Sequence, residues 1–181
     1  MYTERIRIPA ETDSRIKVIY LDENSHISAA SNVGIAEASG NYVVFLDHDD
    51  ALAPNALLEV CEVINNNPDA KIIYSDEDLI SEAGERITPH FKSDWNSELL
   101  RAHNYVTHLC CYDIGLVKSL GGMRLGYEGA QDYDLILRAS AVIDTKDIHH
   151  IPKILYHWRM VEGSTALSSG AKSYATEAGL K

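Results

Sequence analysis

The stretch VVFLDHDDALAP, residues 43–54, sets an apolar run directly before Asp47, Asp49 and Asp50, with His48 between the first two. The continuous apolar run is typical of a strand that is buried on both faces of a sheet. Ligands of open α/β sheets bind outside the carboxyl ends of the strands. Crowded carboxylates repel one another unless a cation or other partners compensate them. The stretch therefore predicts a central strand that ends in a functional loop.

Segments on both sides of this stretch alternate between strand-like and helix-like patterns. The first half predicts strands at 15–21, 42–47 and 71–76, with helices at 28–40 and 55–67 between them. This order favours parallel strands joined by crossover helices. The second half predicts a hairpin turning at Ala83-Gly84, helices at 94–103, 114–122 and 131–143, strands at 105–113 and 148–160, and a final helix at 168–181. A mixed α/β domain follows from this order.

The composition narrows the function classes. The net charge of -11, from 27 acidic and 16 basic residues, argues against a nucleic-acid-binding surface. No run of about 18 apolar residues is present, so no membrane span is expected. The cysteines, Cys61, Cys110 and Cys111, have neither metal-ligand spacing nor a plausible disulfide framework. These features favour a cytoplasmic protein with one domain, residues 1–181.

Asp47 and Asp49 lie one residue apart and can share one hard divalent cation, since Mg²⁺ and Mn²⁺ prefer oxygen ligands from carboxylates, phosphates and water. Asp50 is expected to cap the helix that follows it. Two enzyme classes use such a pair: phosphatases in which the first aspartate is the nucleophile, and nucleotide-sugar transferases that clamp a diphosphate. A strand and a helix precede the motif here, which favours the transferase.

A resemblance to family 2 glycosyltransferases runs through six blocks in the expected order, which are SNVGIAEASGNYVVFLDHDDALAPNALLEV, IIYSDEDLI, FKSDWNSELL, NYVTHL, GYEGAQDYDLILR and IPKILYHWRMVEGSTA. The resemblance implies an α/β fold of the GT-A-like (Rossmann-like) type, with a mixed, mainly parallel sheet flanked by helices. It implies that residues 1–75 bind the nucleotide diphosphate and metal, and that residues 76–181 face the acceptor. The implied reaction is metal-dependent, inverting transfer of a sugar from a UDP-sugar to an acceptor hydroxyl.

The resemblance also implies roles for individual residues. The predicted nucleotide- or diphosphate-binding residues are Asn32, Asp47, His48, Asp49 and Arg159, and the predicted ligands of Mn²⁺ or Mg²⁺ are Asp47, Asp49 and His157. Asp49 is the expected principal ligand. For Asn32 a local hydrogen bond within its helix is the alternative, and for His157 the alternative is a structural role beside Trp158.

The segment AQDYDLILR resembles the part of the family that carries the catalytic base, with Gln131 where the family usually has glutamate. Asp132 is therefore expected to take the proton of the acceptor hydroxyl. A carboxylate that merely favours a helix N-terminus is the alternative. Asp134 and Arg138 are four residues apart and predict a surface ion pair. The acids of YSDED, residues 74–78, are expected to be mainly solvated loop residues near the acceptor.

The chain departs from the resemblance at its start. The family opens with a strand, a helix and a second strand, and nothing similar precedes Arg15. An N-terminally truncated fold is therefore expected, with an exposed sheet edge that a second copy covers in a homodimer. Base selectivity is then weak, and catalysis by this chain alone is in question. A non-catalytic nucleotide-sugar-binding module and an aspartate-dependent phosphatase are the alternative functions.

Overall fold

The strands and helices below come from a computed structural model that describes residues 13–81 and 83–160. The strands are β1 (Tyr42–Val44), β2 (Ala51–Leu52), β3 (Ile72–Ile80), β4 (Arg86–His90), β5 (Cys110–Asp113) and β6 (Ile148–Arg159). The helices are α1 (His26–Glu37), α2 (Ala56–Asn66), α3 (Ser97–Ala102), α4 (Ile114–Ser119) and α5 (Gln131–Ser140), and a 3-10 turn spans Thr145–Asp147.

The strands form one mixed sheet in the order β1-β5-β3-β6-β2, and β4 pairs with β3 beside this row. The mixed α/β sheet with flanking helices is confirmed. Its parallel share is smaller than expected, because only β3 and β6 pair in parallel among the described strands. β1 and β3 run in the same direction, but β5 lies between them and is antiparallel to both.

The two hydrophobic cores lie on opposite faces of β3. Ile72 and Tyr74 pack into one core together with Leu135 of α5. Ile73 packs into the other core, which contains Val60 of α2. Since successive side chains of a strand point to opposite faces, one short apolar run supplies both cores. β3 is therefore the central strand of the sheet, a position that the sequence predicted for residues 42–47.

β1 is shorter and more peripheral than predicted. It has three residues, all half-buried, and it lies at one end of the described sheet. No strand forms at residues 15–21, where Ile19, Tyr20 and Leu21 are exposed. The apolar residues of both runs have high β propensity, but a strand forms only where the chain finds a hydrogen-bonded neighbour.

The other predicted helices in the described residues match the structure to within a few residues, whereas the strand predicted at 105–113 is reduced to β5 and the strand predicted at 71–76 extends to Ile80 as β3. The hairpin between β3 and β4 turns at Ala83-Gly84, and Gly84 has a φ of +84° that suits glycine. Asn96 caps α3 by accepting a hydrogen bond from Leu99 N. The helix predicted at 168–181 lies outside the described residues. Among the described helices, none has both the length and the apolar character needed to cross a bilayer.

Candidate active site

A cavity of about 250 Å³ lies at the carboxyl end of β1. Asp47 and His48, which follow β1, line it on one side, and Asp132 at the start of α5 lines it as well. Thr107 and His108, which precede β5, also line the cavity. The fold thus brings Asp47 and His48 of the aspartate loop (residues 47–50) to the same cavity as the predicted base, Asp132, although they are far apart in the sequence.

The loop of residues 47–50 is anchored to β6. The hydroxyl of Tyr156 donates to Asp50 Oδ2 at 2.6 Å and accepts from the backbone N–H of Asp47 at 3.3 Å. The backbone N–H of Arg159 donates to Asp50 Oδ1 at 2.8 Å, and its Nε donates to the Asp49 carbonyl at 2.8 Å. These four hydrogen bonds hold the loop in one place relative to the sheet.

The predicted helix cap at Asp50 is wrong. The residue that precedes α2 is Asn55, and the Asp50 carboxylate instead binds the two residues of β6. Burial raises the pKa of Asp50, against the opposing effect of the hydrogen bonds from Tyr156 and Arg159. The Asp50 carboxylate therefore stabilises the conformation of the loop. Arg159 has the same role in this structure, and its predicted diphosphate contact stays a prediction.

The three predicted metal ligands do not meet at the cavity: Asp47 lines it, but Asp49 and His157 are not part of its lining. Among residues 13–81 and 83–160, no group of three or more His, Cys, Asp or Glu side chains is arranged to hold a metal ion. Asp47 and Asp49 leave two carboxylates on the anchored loop, a donor set that fits a cation completed by phosphate and water. The Nδ1 of His157 lies 2.5 Å from Asp78 Oδ1 and is buried. Metal binding by Asp47, Asp49 and His157 stays a prediction.

Asp132 lies in the first turn of α5 and lines the cavity. Its Oδ2 accepts a hydrogen bond of 3.0 Å from Asn104 Nδ2. The neighbouring Gln131 Oε1 accepts from the backbone N–H of Gly129 at 2.6 Å. Asp132 is thus held at the cavity wall, where a carboxylate can accept a proton from a bound hydroxyl. Its role as the base stays a prediction.

Asn32 is engaged in packing. Its Nδ2 donates to the Met123 carbonyl at 2.8 Å, and its Oδ1 accepts from the Met123 N–H at 2.8 Å. The hydrogen bonds are therefore long-range, which contradicts the alternative of a local bond within the helix. Both ends of the amide join α1 to the loop after α4, so a contact with a diphosphate has no support here.

The acids of β3 are buried and paired, so the expectation of solvated loop acids is wrong. Asp76 Oδ1 lies 2.9 Å from His150 Nε2, Glu77 Oε2 lies 3.1 Å from Lys92 Nζ, and Asp78 contacts His157 as described above. The sequence does contain one indication that these acids belong to a strand, because the apolar pair Leu79-Ile80 follows them and continues the strand. Their partners come from distant segments, which the sequence pattern does not reveal.

Asp134 and Arg138 form the predicted pair, with Asp134 Oδ2 at 2.8 Å from Arg138 Nη2. The pair is not a surface pair, because the Asp134 side chain is only 4% exposed. Arg124 also binds the Asp134 carboxylate, and the Arg124 guanidinium lies 4.3 Å from the ring centroid of Tyr127. This cluster fixes the loop after α4 against α5.

This chain matches a family profile and several relatives, which include two that cover almost all of it. The profile of glycosyl transferase family 2 matches residues 3–119. The uncharacterized protein y4gI of Sinorhizobium fredii is 51% identical over 174 residues, which are 96% of this chain and 19% of that protein. The O-antigen biosynthesis protein RfbC of Myxococcus xanthus is 37% identical over 176 residues, which are 97% of this chain and 14% of that protein. The chain spans 19% or less of the length of these two relatives.

The fold is similar to that of a solved crystal structure. The crystal structure of S. aureus TarS, residues 1–349, in complex with UDP-GlcNAc superposes with a TM-score of 0.65 and 18% identity, over 91% of this chain and 48% of that one. At this identity the likeness supports a shared fold, and it confirms the GT-A-like fold. From the profile match over more than half of its length, we conclude that this chain belongs to glycosyl transferase family 2.

Proposed function

We propose that this chain contributes to inverting transfer of a sugar from a UDP-sugar to an acceptor hydroxyl. The observation that carries the proposal is the cavity of about 250 Å³ that Asp47, His48 and Asp132 line together. Donor-binding and proton-accepting groups must lie on one cavity for a direct displacement. The TarS structure that shares this fold contains UDP-GlcNAc, which supports a UDP-linked donor.

In this proposal Asp132 accepts the proton of the acceptor hydroxyl as the oxygen attacks the anomeric carbon. Attack from the face opposite to the leaving diphosphate inverts that carbon, by the logic of inverting glycosidases. Tyr156 and Arg159 hold the aspartate loop in one conformation before the donor binds. Donor binding therefore costs little additional conformational entropy in this loop. A divalent cation held by Asp47 and Asp49 would offset the charge of the leaving group.

We also propose the division of the domain into a donor half, residues 1–75, and an acceptor half, residues 76–181. The cavity is consistent with this division, since Asp47 comes from the first half and Asp132 from the second.

A homodimer remains a prediction. Within the described residues β1 ends the sheet, and Tyr20 is 64% exposed and Leu46 49% exposed. Sedimentation velocity over a concentration series tests the dimer, and a constant monomer mass contradicts it.

Calorimetry of UDP binding tests the donor site. We expect Mn²⁺ to strengthen the affinity at least tenfold, about 1.4 kcal/mol or more, and Asp49→Ala to remove this gain. Asp69→Ala is the matched control, because Asp69 is exposed and follows α2, and it should leave the affinity unchanged. UDP binding that is equally strong without metal contradicts the metal-dependent clamp.

Transfer assays with UDP-sugars separate the enzyme from a binding module. If the chain is an inverting transferase, the product has inverted anomeric configuration, and Asp132→Asn lowers the transfer rate at least a hundredfold. A non-catalytic nucleotide-sugar-binding module predicts normal UDP binding, no transfer and no donor hydrolysis. Family membership argues against the phosphatase alternative, and a trapped aspartyl-phosphate at Asp47 would reinstate it.

A further inference from the structure

The side chain of Asn104 binds the predicted base, Asp132, which lines the cavity. Asn104 donates from Nδ2 to Asp132 Oδ2 at 3.0 Å, and its Oδ1 accepts from the backbone N–H of Thr107 at 3.3 Å. A backbone N–H can only donate, so the amide oxygen must face Thr107. The NH₂ group must then face Asp132, and the orientation of the Asn104 amide is settled by its surroundings.

Thr107, which orients Asn104, is itself fixed from the sheet. Its hydroxyl donates to Glu77 Oε2 at 2.7 Å, and the Nζ of Lys92 lies 3.1 Å from the same oxygen. The Lys92 side chain is 0% exposed, and its Nζ also donates to the Val106 carbonyl at 2.6 Å. A buried ion pair therefore holds the segment that positions Asn104.

We propose that Asn104 is a positioning residue that holds the Asp132 carboxylate through Oδ2 and leaves Oδ1 to accept the proton. The inference rests on the proposed function, in which Asp132 is the base. An amide donor favours the charged form of a carboxylate, which is the form that accepts a proton. The titratable groups that share the cavity with Asp132 are Asp47 and His48 after β1, His108 before β5, and Cys110 and Tyr112 on β5.

Two substitutions at Asn104 separate positioning from mere packing. Asn104→Ala removes the donor, whereas Asn104→Asp keeps an acceptor for Thr107 but places a second carboxylate beside Asp132. The ¹³C resonance of the Asp132 carboxyl, assigned by its loss in Asp132→Asn, is followed against pH in the whole chain. We expect its titration midpoint to rise in Asn104→Ala, because the donor to the charged carboxylate is lost, and to rise further in Asn104→Asp.

The matched control is Asn55→Ala. The Asn55 amide also donates to a carboxylate, Glu59 Oε1 at 3.1 Å, but on the exposed surface of α2. This control should leave the Asp132 midpoint unchanged. In the transfer assay, Asn104→Ala should lower kcat about tenfold, with the donor KM within twofold and the acid limb of the pH profile shifted upward.

The outcomes are distinguishable from failure of the proposed function. If Asp132→Asn keeps full transfer activity, the base assignment is overturned, while the NMR titration still measures the effect of Asn104 on Asp132. If the midpoint in both Asn104 variants stays within about 0.2 pH units of the wild-type value, the positioning role is overturned. Thermal unfolding of each variant shows that the measurement is made on folded protein.

Discussion

The Nζ of Lys92 lies 3.1 Å from Oε2 of Glu77, and both residues are buried. Burial acts to raise the pKa of Glu77, but hydrogen bonds from His90, Thr107 and Lys92 and the charge of Lys92 together bring it below its ordinary value. Burial lowers the pKa of Lys92, and Glu77 opposes this effect. A buried ion pair of this kind depends on both partners. It supports the cavity wall through Thr107, which lines the cavity and donates to Glu77 Oε2.

Lys92→Met should destabilise the fold by about 3–5 kcal/mol, because it removes the cationic partner of the buried Glu77 carboxylate and leaves it with hydrogen bonds alone. Equilibrium unfolding in urea measures the loss. The control is Lys146→Met, since Lys146 is 73% exposed and pairs with the exposed Asp144, and it should change stability by less than about 0.5 kcal/mol. The double variant with Glu77→Gln should recover part of the loss. Equal effects of Lys92→Met and Lys146→Met would show that the buried pair is unimportant.

Gly122→Ala should cost about 2 kcal/mol or more, whereas Gly121→Ala should cost about 1 kcal/mol. Both glycines have positive φ, +74° and +78°, so alanine is strained at either position. A Cβ at Gly122 would in addition overlap Asn32 Oδ1, but one at Gly121 meets nothing within 4 Å. Paired urea unfolding curves measure the difference. A smaller cost at Gly122 than at Gly121 would contradict the packing role of Asn32.

Tyr156→Phe should lower stability by about 1–2 kcal/mol, because it removes one donor from the half-buried Asp50 carboxylate and one acceptor from the Asp47 N–H. The aspartate loop then loses two of its links to β6, so faster amide exchange at residues 47–50 is expected. Tyr20→Phe is the control at an exposed hydroxyl, with no effect expected on either measurement. Unchanged exchange in Tyr156→Phe would mean that the loop is held by other contacts.

Asp134 should make stability depend on acid pH. Burial acts to raise its pKa, but hydrogen bonds from Arg124 and Arg138 and their charges lower it below the ordinary value of 3.8. A lowered native pKa contributes stability that is fully present above the unfolded value and is lost as pH falls through the native value. Asp134→Asn should therefore cost on the order of 2 kcal/mol at pH 7. The difference from the wild type should shrink below about pH 3.8.

Urea midpoints of the wild type and Asp134→Asn, taken from pH 7 down to pH 2.5, test this sign. Asp144→Asn is the matched control, because Asp144 is 57% exposed in its pair with Lys146. A difference that grows on acidification would contradict a lowered native pKa for Asp134.

Local sequence was sufficient for most elements of the fold. α2 follows Pro54 as expected, α4 ends before Gly121 and Gly122, and β6 coincides with the run at 148–160. These signals depend on residues within a few positions of one another, namely caps, turn residues and hydrophobic periodicity. The motif of Asp47 and Asp49 could be read in the same way, because a strand followed directly by carboxylates is a local pattern.

Only the tertiary structure decided which polar groups meet. Asp50 binds Tyr156 and does not cap α2. Asn32 binds Met123, which lies 91 residues away in the sequence. Burial of a polar side chain requires a partner, but any of many distant donors can supply it. The sheet order makes that choice, since it places β6 beside β3 and β2, and β5 beside β1. For the same reason the contact between Asn104 and Asp132 became visible only in the folded chain.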